Sequence, residues 1–177
     1  MGLSALFFVS RYPGARLLVV EPNPAVRVRL RRNVGRLGRV TIVPVAVADR
    51  DGEARLSVPG RSTGGRLDDG QGYSVPTLTL DTLLQRHGFL PVDVLKFDIE
   101  GAEFEALPVA DLSRVDALVG ELHPDRTGQI GELTTFLEHD FTVHTEPNPD
   151  APQWLLRARR RQQNSQTAEP PLSRARS

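Results

Sequence analysis

The sequence predicts one α/β domain built on a mostly parallel sheet and closed by a C-terminal antiparallel hairpin. Three observations point to it. Short apolar runs alternate with helical patterns along most of the chain, as strands joined by crossover helices do. Several of the runs are continuously apolar, as strands covered on both faces require. The last two runs, Phe141 to His144 and Gln153 to Arg157, are separated by a Pro/Asn/Asp turn and so fold back as a hairpin.

Taken in order, Leu3 to Arg11 is apolar nearly all round and ends before Pro13 and Gly14, which predicts a buried helix. Leu17 to Val20, closed by Glu21, predicts a central strand. Asn23 caps the next helix, Pro24 takes its first position, and Val26, Leu30, Val34 and Leu37 recur at helical spacing. Val40 to Ala48 predicts a second apolar strand, and Asp49 to Gly52 a turn into the alternating strand Ala54 to Val58. Pro59 to Tyr73 holds five glycines and no periodicity, which predicts a mobile loop of a length that often lies over a site. Asp81 to Arg86 predicts a short helix stopped by Gly88. Beyond it come a strand from Val94 to Asp98, a turn and short helix from Gly101 to Leu107, a strand from Ala117 to Leu122, and an amphipathic helix from Gln129 to Leu137. From Ala158 the chain is polar and Arg-rich with little to bury, which divides it into a domain over residues 1–157 and a disordered tail over 158–177.

Composition narrows the classes of function. With 177 residues, 39% of them hydrophobic, there is apolar content for one domain and no room for a second full one. Acidic and basic residues balance at 22 each, so no overall field favours nucleic acid or an anionic membrane. The absence of cysteine removes disulfides, thiolate metal sites and a cysteine nucleophile. The apolar run from Ala5 to Val9 lacks a preceding basic residue and is too short to span a bilayer, so the cytoplasm is the default location. Arginine supplies every basic residue except Lys96.

Candidate chemistry gathers at strand ends, where open α/β sheets place ligands. Glu21 can accept hydrogen bonds from both ribose hydroxyls of an adenosine cofactor, or it is an ordinary strand-end acid facing water. In Lys96-Phe97-Asp98-Ile99-Glu100-Gly101-Ala102-Glu103, three acids, Asp98, Glu100 and Glu103, surround a strand-to-helix turn containing glycine. Asp98 can hold a substrate, a divalent cation or a cofactor's amino group, whereas Glu100 and Glu103 also suit the positive end of the following helix. Glu121 and His123 end the next strand, so with Asp98 they can converge on one sheet edge. His123 can take a proton from a substrate hydroxyl or anchor the loop at Pro124. These oxygen and imidazole donors would also suit Mg²⁺ or Mn²⁺, although no metal ligand set is assigned.

Three stretches together resemble the FkbM family of methyltransferases. They are Val19-Val20-Glu21-Pro22-Asn23-Pro24 with Asn33, Pro44 to Asp49 with Asp51-Gly52, and Leu78 to Leu84 leading to Lys96 to Glu103. The resemblance runs from Gly2 to about His123. It implies a Rossmann-like class I methyltransferase fold, S-adenosylmethionine as methyl donor, and a hydroxyl acceptor on a sugar, polyketide or other small molecule. By the same resemblance Gly2, Glu21, Asn23, Ala46, Val47 and Asp98 form the cofactor site, with Glu21 on the ribose and Ala46 and Val47 against the adenine. The resemblance also places Asp98 near the methionine end or the substrate, with Glu100 and Gly101 shaping that wall, while from the residues alone His123 joins Asp98 as a catalytic candidate and Glu121 joins the wall.

The family's first strand and its Asp-x-Gly-Ala-Asn-x-Gly loop should precede Met1, with Gly2 as the loop's last glycine. That strand belongs between the ones ending at Glu21 and Asp98, so a gap or rearrangement is expected at the sheet centre, with edges open to self-association. Two other readings stay open: an NAD-binding oxidoreductase, whose ribose an acid at this place also suits, and a partial domain that binds no cofactor.

Overall fold

The computed structural model describes residues 2–57, 65–68 and 72–162. The elements run α1 (Leu3–Arg11), β1 (Leu17–Val20), α2 (Pro24–Val34), β2 (Val40–Val43), β3 (Ala46–Val47), β4 (Gly52–Ser57), β5 (Arg66–Asp68), β6 (Tyr73–Leu78), α3 (Leu80–His87), β7 (Leu95–Phe97), α4 (Glu103–Ala106), β8 (Ala117–Leu122), α5 (Gln129–Glu138), β9 (Phe141–Pro147) and β10 (Trp154–Arg160). They form a mixed α/β architecture, as the alternation of helical and apolar segments predicts. No helix among the described residues is long and apolar enough to cross a membrane.

The strands fall into three sheets: β1-β2, β7-β8-β10-β9 and β3-β6-β4-β5. Among the described strands β1 pairs parallel with β2, β3 with β6, and β7 with β8, and the rest pair antiparallel, so the expectation of one mostly parallel sheet is corrected to a mixed arrangement. The extra antiparallel pairing comes from β4, which lies between β6 and β5 and runs against both. The C-terminal hairpin is as predicted: β10 pairs antiparallel with both β9 and β8. Among the described residues β1 and β7 pair with no strand on their outer sides. β1-β2 and β7-β8 thus belong to separate sheets among the described residues.

Packing explains how the pieces cohere. In β1, Leu17 and Val19 join Ala5, Leu30 and Val34 of the two N-terminal helices, while Leu18 and Val20 face the main core. A period-2 strand that is apolar at every position serves as a septum between two cores in this way. The main core joins α3, β7, β8, α5 and the hairpin through Leu83, Leu84, Phe97, Leu118, Leu122, Leu137, Phe141 and Leu156. Ala46, Leu56 and Val75 form a third, smaller cluster.

Several boundaries differ from the sequence prediction for identifiable reasons. The run from Val40 to Ala48 is two strands, β2 and β3, parted at Pro44, which has no N–H to continue a ladder. β6 went unpredicted because Pro76 and the adjoining glycines mask its inward residues Val75, Thr77 and Leu78. Residues 66–68, placed in a mobile loop by the sequence, pair with β4 instead; the remainder of that loop prediction, apart from 65, 72 and 73, lies outside the described residues. β10 continues through Arg160, past the expected end of the domain at residue 157. Ala158 is buried there, and the Arg160 guanidinium lies over the Phe141 ring at 4.5 Å and donates from Nε to the Val115 carbonyl at 2.8 Å. The charge of these arginines disguised a paired strand. Residues 163–177 of the expected tail lie outside the described residues.

Candidate active site

The first candidate group is the turn from β1 into α2. Asn23 caps α2 through its side-chain oxygen, which accepts from Ala25 N at 2.9 Å and Val26 N at 3.4 Å. Glu21 then locks the turn, because its Oε1 accepts the Asn23 N–H at 2.8 Å. Arg27 closes over the same turn, its guanidinium donating to the carbonyls of Glu21 at 3.2 Å and Pro22 at 2.8 Å. Burial raises the Glu21 carboxyl above its ordinary range, while the Asn23 N–H and the Arg27 charge pull it down. Among the described residues no donor meets its second oxygen, so one half of the carboxylate is anchored and the other is available. That fits a pair of ribose hydroxyls.

Gly2 caps α1 in the left-handed conformation, φ 82°, and a Cβ there would meet Leu30 Cδ1 at 3.0 Å. Ala46 is buried with Leu56 and Val75, and Val47 is half-buried against the main core. Their side chains therefore help hold β3 to its neighbours.

The second group lies at the ends of β7 and β8. Their register pairs Phe97 with Gly120, and a Cβ on Gly120 would come within 2.4 Å of the Phe97 ring and 2.5 Å of its carbonyl oxygen. Glycine is required for this close approach, which brings the residues just beyond each strand, Asp98 and His123, toward one another. The turn after β7 carries two consecutive positive φ angles, Glu100 at 55° and Gly101 at 107°. For Glu100 that conformation is costly, and such strain clusters at functional sites.

Glu103, which the sequence assigns to the helix dipole, has a different role in the fold. Its side chain is 0% exposed. One oxygen accepts from Ile99 N at 3.1 Å and the other from Gly101 N at 2.9 Å, so the carboxylate folds back and pins the turn. Oε1 also meets His123 Nδ1 at 3.1 Å. The Nδ1–H therefore points to Glu103, and Nε2 faces Asp98 Oδ1 at 3.9 Å and Glu100 Oε2 at 3.7 Å. The hydrogen bond to Glu103 raises the His123 pKa, burial opposes it, and the charges of Glu103, Glu100 and Asp98 reinforce the rise. Asp98, Glu100 and His123 thus converge as the sequence anticipates for two of them. Glu121 does not join them: it pairs in register with Leu155, alternating with the buried Leu122. The missed signal for Glu103 was its place in the first turn of α4, from which a carboxylate can reach back to preceding N–H groups.

The scaffold is thus a mixed α/β domain carrying acids at the ends of β1 and β7. The model of the Methyltransferase FkbM domain matches residues 2–161, and the chain belongs to that family. It is similar to the 2-O-methyltransferase NoeI of Sinorhizobium fredii (strain NBRC 101917 / NGR234), 30% identical over 126 residues that cover 60% of this chain and 52% of NoeI. It is also similar to the AMB antimetabolite synthetase AmbE of Pseudomonas aeruginosa PAO1, 27% identical over 173 residues, 72% of this chain but 8% of AmbE. The chain thus spans about half the length of the first relative and a small fraction of the second. No solved structure matches.

Proposed function

We propose that the chain transfers a methyl group from S-adenosylmethionine to a hydroxyl of a small molecule or sugar. The observation that carries this reading is Glu21, a half-buried strand-end carboxylate anchored through one oxygen and available through the other. The similarity to NoeI, a 2-O-methyltransferase, favours a hydroxyl oxygen as acceptor. When bound, the donor supplies a methyl group made electrophilic by a sulfonium. An acceptor hydroxyl would be aligned with that methyl group, the sulfur would retain the bonding pair as the neutral thioether, and the hydroxyl proton would leave by way of the Asp98, Glu100 and His123 cluster. Alignment supplies most of the rate in such a displacement, so no protein nucleophile is needed.

In this reading Glu21 holds the ribose, with Asn23 fixing Glu21, and Gly2 and the Ala46–Val47 backbone border the cofactor. Asp98 and His123 hold the acceptor oxygen, while Glu100, Gly101 and Glu121 belong to the wall around it. Calorimetry with S-adenosylmethionine tests it: wild type is expected to bind and Glu21→Ala to lose at least about tenfold in affinity, the equivalent of one charge-assisted hydrogen bond. Binding of NADH in place of S-adenosylmethionine, or binding of neither by a folded chain, would overturn it.

A further inference from the structure

The ends of β7 and β8 place three acceptors face to face. Glu103 takes the His123 Nδ1–H, so the neutral imidazole turns a lone pair at Nε2 toward Asp98 Oδ1 and Glu100 Oε2. Among the described residues no lysine or arginine pairs with either carboxylate; the imidazole is the one cationic group they meet. A proton on Nε2 answers their charge at ion-pair range but forms a hydrogen bond with neither, since 3.7 and 3.9 Å exceed that reach, so two carboxylates and one imidazole nitrogen are left facing a common point.

We infer that Asp98, Glu100 and His123 form a binding site for a divalent cation of the Mn²⁺ or Mg²⁺ kind. The ligand atoms of all three lie within 4.8 Å of one another. A six-coordinate ion about 2.1 Å from each ligand sets neighbouring ligand atoms about 3 Å apart and opposite ones about 4.2 Å apart. The two separations from His123 Nε2, 3.9 Å to Asp98 and 3.7 Å to Glu100, lie between these limits. Asp98 and Glu100 are 43% and 39% exposed, so small rotations bring their oxygens to the ion. His123, only 15% exposed, is the fixed point.

The surroundings carry the features of a built site. A ligating histidine needs its second nitrogen held by a carboxylate or carbonyl, which fixes the tautomer and strengthens the ligand. Glu103 does this with a wholly buried carboxylate that is itself held by two backbone N–H groups. Two carboxylates with one imidazole, and no thiolate in the chain, select a hard or borderline cation. Three protein ligands leave about three positions of an octahedral shell for water and for an acceptor hydroxyl. There the cation would orient and acidify an acceptor hydroxyl, whose proton would pass to bulk water. This last step rests on the methyl-transfer reading; the binding of the cation does not.

The test is titration of the metal-free chain with Mn²⁺, followed by electron paramagnetic resonance, with no S-adenosylmethionine present. One saturable site is expected, weakened at least about tenfold in Asp98→Asn and in Glu100→Gln, and unchanged in Glu138→Gln on the exposed face of α5. Because Asp98 and Glu100 are partly exposed, both variants retain the fold, and circular dichroism checks this. Selective broadening of the His123 ring signals by Mn²⁺ is expected alongside. No saturable binding below about 1 mM, or binding indifferent to both substitutions, would overturn the site. Methyl transfer at an undiminished rate in excess chelator would overturn its catalytic role and leave the proposed activity standing. Saturable Mn²⁺ binding by a chain that takes no S-adenosylmethionine would leave the metal site standing and remove the activity.

Discussion

Glu21, Glu103 and His123 show how environment decides what an ionisable side chain does. Glu21 is held above its ordinary value of 4.5 by burial. If its ionised form grips the ribose, cofactor affinity should begin to fall on acidification at a pH above that value, and the fall should vanish in Glu21→Gln. Calorimetric affinity measured as a function of pH checks this, and a break at or below the ordinary value would refute it. His123 is shifted upward, first by its bond to Glu103. A group whose folded pKa exceeds its unfolded value adds stability that is fully present below about 6.5 and is lost as pH rises through the folded value. With a chelator present, the stability gap between wild type and His123→Gln should therefore be largest at low pH and close as pH rises above 6.5; a gap that widens with pH would contradict the assignment. Glu103→Ala leaves two backbone N–H groups and the imidazole without their acceptor, so it should cost about 3 kcal/mol in urea unfolding. Glu21, Asp98 and His123 were visible in the sequence because each closes an apolar run. Glu103 was not, because a first-turn acid looks the same whether it faces water or folds inward, and only the packing of the turn against β8 decides between them.

At the scale of elements, legibility followed the density of apolar residues. α2, α3, β1, β8 and α5 were evident because their runs or caps are uninterrupted, as with Asn23 before Pro24 and Gly88 after α3; the cap at Thr79 went unread. Thr79 caps through its hydroxyl, which accepts Thr82 N at 3.2 Å, and Gly88 adopts φ 62°. β5 and β6 were hidden because they are stabilised by partners distant in sequence. Tyr73 pairs with Leu56 and Pro76 with Glu53, and no local pattern records such pairing. Arg160 misled for a related reason, since its charge is placed over Phe141 while its stem covers the core. The junction of β7 and β8 yields the sharpest test at this scale. Gly120→Ala inserts a methyl group 2.5 Å from the Phe97 carbonyl oxygen, which a change of rotamer cannot relieve. The strands must part, at a cost of about 1–3 kcal/mol in urea unfolding, and the ends that carry Asp98 and His123 must shift with them. An unchanged denaturation midpoint would show that the two strands are held less closely than the register implies.

For the molecule as a whole, the feature that bears most on behaviour is the pair of strand edges at β1 and β7. Each has one strand partner, and among the described residues the opposite side of each is unpaired. Proteins blunt free edges with charge, proline or bulges. β1 has none of these: Leu17, Leu18, Val19 and Val20 are all apolar, and β7 offers only Lys96. Such edges add strands from other chains, so self-association is the expected consequence, and amide hydrogen exchange can locate it. In a dilute sample, the amides of β1 and β7 that point away from β2 and β8 should exchange rapidly, while those in the ladders and in β8 and β10 stay protected. As concentration rises, protection should spread to the outward amides in step with a growing mass in sedimentation, because pairing between copies satisfies the same N–H groups. Protection already present at high dilution and independent of concentration would mean that the chain covers these edges itself, and the expectation of assembly through them would fail.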